Sequence, residues 1–229
     1  MCGRYTLASP DPSQIRARFP IGERLEVRRR YNVAPGDDVL AVINADRAKS
    51  SPAGAVLRWG LVPFWATDPR EISVKTINAR AETVAERPAY RDAFAGRRCL
   101  IVADGFYEWS AGAPHWITRE DGEPFAFAGL WASWRPRDGT DDLEPLRTCA
   151  IVTTAAAGAA RDLHDRMPVI LERGEEAAWL APDTPAADLH ALLEPPGPPL
   201  VARPVSRAVN DARHDAPDCL DPPEQASLF

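Results

Sequence analysis

The second residue of the chain is a cysteine, in Met1-Cys2-Gly3-Arg4-Tyr5. Methionine aminopeptidases trim Met1 when residue 2 is small, so the mature chain is expected to start with a free α-amine and a thiol on one residue. Their ordinary pKa values, about 7.7–8.0 and about 8.5, leave both partly nucleophilic near neutral pH. Such a pair can condense with an aldehyde. The amine gives an imine, and the thiol closes on the imine carbon to form a thiazolidine. Alternatively the thiolate attacks a carbonyl with the amine as base, as in N-terminal nucleophile hydrolases. On position alone, an incidental second residue is the simpler reading.

The other cysteines, Cys99, Cys149 and Cys219, are widely spaced and form no CxxC pair. That spacing argues against a zinc site and against a disulfide framework. Cys99 and Cys149 lie in apolar runs, Arg98-Cys99-Leu100-Ile101-Val102 and Cys149-Ala150-Ile151-Val152, and read as small buried hydrophobes. Cys2 has no such surroundings.

Six short motifs supply its company. Met1-Cys2-Gly3-Arg4-Tyr5, Tyr31-Asn32-Val33-Ala34-Pro35, Trp59-Gly60-Leu61-Val62-Pro63, Ile77-Asn78-Ala79-Arg80-Ala81-Glu82-Thr83, Asp104-Gly105-Phe106-Tyr107-Glu108-Trp109 and His164-Asp165-Arg166-Met167-Pro168 occur in that order. Any one of them is weak; six in order are specific. In these the chain resembles the SRAP family, named for SOS-response-associated peptidases, from Cys2 to about Asn210.

The resemblance implies an α+β fold, a single domain with a β-barrel-like mixed sheet core flanked by short helices and a positively charged DNA groove. It implies covalent capture, by Cys2, of the ring-opened aldehyde of an abasic site in single-stranded DNA, as a thiazolidine that shields the lesion. Asn78 would hold Cys2 and the sugar through its amide, and Glu108 would accept a proton near the α-amine. His164 would donate to the deoxyribose ring oxygen and shuttle protons later. Thr153, eleven residues before His164, matches a family position beside the site. Arg80 would clamp a phosphate, where a guanidinium fork suits two oxygens. Arg4 would assist, Arg87 or Arg91 would add a second phosphate contact, and Trp65 would stack on flanking bases, worth ~1–3 kcal/mol per base.

Each residue also has a plainer use. Glu108 could face outward on an alternating strand, although a carboxylate among aromatics is costly to bury without partners. His164 could be a solvated loop residue, with Asp165 and Arg166 paired beside it. Asn78 could cap a helix starting at Ala79, and Trp65 could be packing.

These residues need elements to position them. Asp11-Pro12 reads as an N-cap with proline at N1, opening a helix through Phe19. Val39–Ile43 and Ala55–Leu61 read as strands around a polar loop, and Ala79–Ala85 and Ala89–Phe94 as helical pieces interrupted by Pro88. Cys99–Ala103, Phe106–Trp109, His115–Thr118, Phe125–Trp131, Thr148–Thr153 and Met167–Leu171 carry the β-branched and aromatic content of strands. Helices are expected at Ala155–Leu163, Glu175–Leu180 and Ala186–Leu193, and a closing strand at Leu200–Val205. Many short, closely spaced strands suggest a mixed sheet curled toward a barrel. The expected domain covers residues 1–217, with a poorly ordered tail over 218–229.

At 229 residues, with 45% hydrophobic and 26% charged residues, the chain has the composition of a globular protein. No segment approaches ~20 apolar residues, and no secretory signal is visible, so a cytoplasmic protein, nucleoid-associated when on DNA, is expected. The net charge of −6 conceals an asymmetry: residues 1–100 hold 17 basic and 11 acidic side chains. A polyanion-binding face in the first half and a mixture that cancels on folding are both compatible with that. No GxGxxG or GxxxxGK turn follows a strand, and no cofactor or metal is expected. The expected partner is single-stranded DNA containing abasic sites, met by a monomer. Two competing functions remain: a thiol peptidase with Cys2 as nucleophile and His164 as base, and a non-catalytic single-strand-binding module. Turnover distinguishes the first, since a peptidase releases product repeatedly. Indifference to Cys2→Ala distinguishes the second.

Overall fold

The protein is described by a computed structural model over residues 2–8, 11–44, 51–136 and 144–224. Its first element is β1 (Tyr5–Leu7), the strand that carries Cys2 at its leading end. Helix α1 (Pro12–Arg18) follows, capped as expected by Asp11, whose carboxylate accepts the Ser13 N–H at 2.8 Å. Then come β2 (Arg30–Val33), β3 (Asp38–Ile43), β4 (Ala53–Trp59), α2 (Pro69–Ser73), β5 (Asn78–Arg80) and α3 (Arg91–Gly96). The second half holds β6 (Arg98–Ala103), β7 (Gly105–Ser110), β8 (Ala113–Arg119), β9 (Phe125–Trp134), β10 (Leu146–Ala155), β11 (Arg166–Pro168) and β12 (Ile170–Leu171). Helices α4 (Glu176–Leu180) and α5 (Ala186–Ala191) and strand β13 (Leu200–Pro204) close the order.

Five strands close on themselves: β10, β4, β3, β6 and β9 pair in sequence, and β9 pairs back onto β10. Every pairing in this ring is antiparallel except β10 with β4. A closed ring leaves no free edge among its members, which suits a sheet of long, apolar strands. Strands β5, β11 and β12 attach outside it. A second sheet runs β13-β8-β7-β1-β2. The fold is the single α+β domain that the resemblance implies, and the closed ring matches the curled sheet suggested by the strand pattern.

Alternation along the strands divides the core. Val39, Ala41, Ile43, Leu57, Trp59, Ile101, Phe127 and Ile151 share one buried cluster with Cys2, Tyr5, Phe106 and Ile117. Their neighbours Leu40, Val42, Leu100, Val102, Ala128 and Val152 share another with Ile15, Phe94, Trp179 and Leu189 of the helices. A one-residue slip in any strand would exchange the two sets, so register is tightly held.

The acidic residue of the Asp104-Gly105 pair fastens β1. Asp104 is buried and accepts the Thr6 hydroxyl at 2.5 Å and the Ala8 N–H at 2.7 Å. A Cβ at Gly105 would lie 2.2 Å from Trp116 Nε1, whose N–H reaches Thr6 Oγ1 at 2.9 Å, so the position admits only glycine without displacement. Asp104→Ala leaves two buried donors without their acceptor, each costing about 1–3 kcal/mol. A fall in Tm on the order of 5–15 °C is expected in calorimetry, at about 2–4 °C per kcal/mol for a domain of this size.

Three expectations need correction. No helix spans 155–163: β10 continues to Ala155, and only a 3-10 turn forms at Gly158–Ala160, where Gly158 adopts φ 54°. Ala79–Ala85 is likewise not a helical piece. Asn78–Arg80 is a strand paired in parallel with Ile151–Thr153, followed by a 3-10 turn at Ala81–Thr83. The pairing with β10 outweighs the helix propensity of the alanines. The boundary at 217 moves outward, because Pro217–Leu220 forms a 3-10 turn whose Cys219 is fully buried against Tyr107, Val205 and Val209. Residues 225–229 of the expected tail, and residues 45–50 of the Asn44–Gly54 loop, lie outside the described residues.

Candidate active site

The backbone just after Cys2 is held by β7: the Tyr107 N–H donates to the Arg4 carbonyl at 3.0 Å. Asn78, on the outer strand β5, donates from Nδ2 to the Cys2 carbonyl at 2.8 Å. Two elements thus fix the first residues from either side. Asn78 caps no helix; its strand position presents its amide to Cys2. Tyr90 in turn donates to the Asn78 carbonyl at 2.9 Å, and burial pushes its phenol up to about 12, so it acts as a neutral donor.

Cys2 is 0% exposed and Glu108 is 3% exposed. Burial pushes the Cys2 thiol up, and the Glu108 charge adds to the effect. Burial also holds the Glu108 carboxyl above the usual glutamate range, while His164 draws it back. Two anions together in a buried space disfavour each other's ionised form, so the Cys2 thiol rests protonated. Glu108 thus acts electrostatically on Cys2, and His164 on Glu108.

His164 is half-buried in the turn before β11. Its Nδ1 accepts the Arg166 backbone N–H at 2.9 Å and lies 2.7 Å from Asp165 Oδ1. The first contact needs a lone pair on that nitrogen and the second a proton. A proton arriving at Nδ1 exchanges one partner for the other, and the ring keeps an anchor in either state.

Thr153 is buried on β10, directly opposite Arg80 of β5. Arg166 donates from Nη2 to the Thr153 carbonyl at 2.6 Å and forms an ion pair with Glu82. The Asp165–Arg166 pairing is thus replaced by Glu82–Arg166, which ties the turn carrying His164 to the 3-10 turn after β5. Sequence reasoning gave Arg166 only a supporting role beside Asp165; its place two residues after His164 was the available signal.

The expected DNA-contacting residues separate into two groups. Arg80, Arg87 and Arg91 are exposed. Arg80 acts electrostatically on Glu82 and Arg87 on Tyr90, so both lie beside the site's outer wall. Arg91 lies 3.6 Å from Asp92. Trp65 is 38% exposed, next to Phe64 at 57%. Arg4 is different: its Nη1 donates to Asn32 Oδ1 at 3.0 Å and to the Val209 carbonyl at 2.8 Å. Nη1 of Arg4 thus fastens the C-terminal segment. Asn32 completes that clasp with Nδ2 donating to the carbonyls of Asp211 and His214, at 2.9 and 2.7 Å.

One group among the described residues could offer a cation three donors: His214, Asp218 and Cys219, whose ligand atoms lie within 4.8 Å of one another. The fold already uses them, with His214 Nε2 2.7 Å from Asp218 Oδ1 and Cys219 Sγ donating to the His214 carbonyl at 3.6 Å. They belong to the C-terminal turn and not to the core cluster of Cys2. No helix among the described residues is long and apolar enough to cross a membrane.

The chain is similar to several known proteins. The chain is 41% identical over 233 residues to the abasic site processing protein YoaM of Bacillus subtilis, covering 96% of this chain and 98% of that one. It is 31% identical over 231 residues to the abasic site processing protein HMCES of Xenopus tropicalis, covering 87% of this chain and 68% of that one. A crystal structure of a Bacteroides thetaiotaomicron protein superposes with a TM-score of 0.81 at 24% identity, over 96% of this chain and 99% of that one, and so shares the fold. The sequence profile described as SOS response associated peptidase (SRAP) matches residues 1–212. The chain belongs to the SRAP family.

Proposed function

We propose that this protein captures abasic sites in single-stranded DNA by forming a thiazolidine between the α-amine and thiol of Cys2 and the aldehyde of the ring-opened deoxyribose. The observation that carries the proposal is the chain of contacts around Cys2: its carbonyl is held by Asn78 at 2.8 Å, Glu108 acts on its thiol, and His164 acts on Glu108. The names of the YoaM and HMCES relatives support the choice of lesion.

The chemistry follows from the charges. His164 donates a proton to the ring oxygen as the furanose opens. Glu108 takes a proton from the Cys2 ammonium, and the free amine adds to the aldehyde carbon. His164, reprotonated by the sugar hydroxyl as the ring opens, gives that proton to the carbinolamine hydroxyl, which leaves as water and gives an iminium. That cation forms beside a thiol held neutral by burial, and its charge favours the thiolate. The thiol proton passes to Glu108 or His164, sulfur closes on the iminium carbon, and the nitrogen becomes neutral. One water leaves overall.

Intact mass tests this. Purified protein is expected to lack Met1 and, after incubation with an abasic oligonucleotide, to gain the oligonucleotide mass minus one water. Retained Met1 in a preparation that crosslinks would exclude the imine route. A peptide-bond hydrolase would turn over without any adduct, and a non-covalent binder would show neither result.

Binding to undamaged single strands is expected to be weak and salt-dependent, because the chain is net −6 and the contacts are local. For single strands, the slope of log K against log salt is about −0.7 per neutralised phosphate. Arg80→Ala is expected to flatten it by roughly that amount, measured by fluorescence anisotropy across salt. A slope unchanged by the substitution would remove Arg80 from the groove.

A further inference from the structure

Glu108 has a neighbour that no step above uses. On β7 and β8, Glu108 pairs directly with His115, two residues along from the pair Phe106–Ile117. Phe106 and Ile117 are buried in the same cluster as Cys2, so by alternation Glu108 and His115 fall on that same face of the sheet. Directly opposed residues of an antiparallel pair place their Cβ atoms about 5 Å apart. A carboxyl and an imidazole carried at that spacing can be joined through one water.

The tautomer of His115 is fixed by its other contact. Nδ1 lies 3.1 Å from the Ala113 carbonyl, which can only accept, so Nδ1 carries the proton. In the neutral ring, Nε2 is therefore an acceptor. Exposure differs sharply along this row. Glu108 is buried, His115 is half-buried, and Pro204, opposite His115 on β13, is exposed. The row runs from the buried carboxylate to solvent.

We infer that His115 is a positioning residue acting through Glu108, taking onward to water the proton that Glu108 removes from the Cys2 ammonium. The inference rests on the proposed capture reaction. The transfer balances as one proton moving from the α-ammonium to the Glu108 carboxylate, from the Glu108 carboxyl to His115 Nε2, and from the imidazolium to water. Each group returns to its starting state. Burial that holds the Glu108 carboxyl above its ordinary range makes it retain its proton, and an acceptor on the next strand relieves that retention. His164 and Asp165 also act on Glu108, but His164 is assigned to the sugar oxygen.

The test is single-turnover adduct formation at saturating abasic oligonucleotide, using the full chain with Met1 removed. His115→Phe, which keeps ring shape without nitrogen, is expected to slow adduct formation by roughly 10-fold, below the effect of a group that itself meets the reacting atoms. Affinity for the undamaged strand should not change. His115→Ala is expected to slow it similarly and to be restored by imidazole in solution, in proportion to its concentration. Packing alone would give no such rescue. A wild-type rate in His115→Phe overturns the inference, as does a slow His115→Ala that imidazole leaves slow. Absence of adduct from the wild-type protein would overturn the capture reaction itself, a distinguishable failure.

Discussion

Cys2→Ala is expected to abolish the heat-stable adduct with abasic DNA while leaving binding to undamaged strands nearly intact. The variant keeps an α-amine, and its first residue keeps the carbonyl that Asn78 holds. It can therefore still condense with the aldehyde, but the imine has no sulfur to close it and hydrolyses. Borohydride should trap that imine, and heating without borohydride should release the DNA. Cys2→Ser separates the two nucleophiles further, since an oxazolidine hydrolyses more readily than a thiazolidine, so little stable product is expected. The remaining cysteines cannot substitute: Cys99, Cys149 and Cys219 are buried and none carries an adjacent amine. A heat-stable adduct from Cys2→Ala without reductant would move the crosslink elsewhere. A lysine imine would then be the alternative. Lys75 is exposed and lies 2.8 Å from Glu71, and Lys49 is outside the described residues.

Chemistry carried by a single residue type was legible in the sequence; chemistry arising from long-range pairing was not. Cys2 could be singled out because amine and thiol are joined on one residue, whatever the fold. The central strands were legible because β-branched and aromatic runs must alternate between two buried faces, as β6 and β9 do. The bonds of Arg4 Nη1 to Asn32 and Val209, 28 and 205 residues away, leave no local sign. Asn78 was ambiguous for a related reason: the alanines after it favour a helix, and only pairing with Ile151–Thr153 makes the segment a strand. Neither the Glu82–Arg166 pair nor the Glu108–His115 register leaves a mark in local sequence, because each is created by the packing of separate strands.

Glu108→Gln is expected to slow adduct formation by about 10²-fold, the lower range for loss of a general acid–base group, and at the same time to stabilise the protein above the folded-state pKa of the Glu108 carboxyl. Both effects follow from the cost of keeping a carboxylate in a buried site. Glutamine preserves the shape and can still accept a hydrogen bond, but it cannot take a proton from the Cys2 ammonium. Amine deprotonation then depends on solvent, from which the site is largely closed. For stability the sign is set by the direction of the shift. Burial raises the folded-state value of the Glu108 carboxyl above its unfolded value, so the folded protein binds a proton more tightly than the unfolded chain. The resulting stabilisation is fully present below the unfolded value and is lost as pH rises through the folded one. Above the folded value the wild type carries a charged, buried carboxylate that the variant lacks, so a higher Tm is expected there for Glu108→Gln. The gap should close as pH falls toward the ordinary glutamate range. Paired measurements of adduct rate and Tm across pH check both halves. A variant that crosslinks at the wild-type rate would remove Glu108 from proton transfer. A variant less stable than wild type above that folded value would show that the carboxylate is held by partners strong enough to outweigh its burial, and that its place in the site is structural.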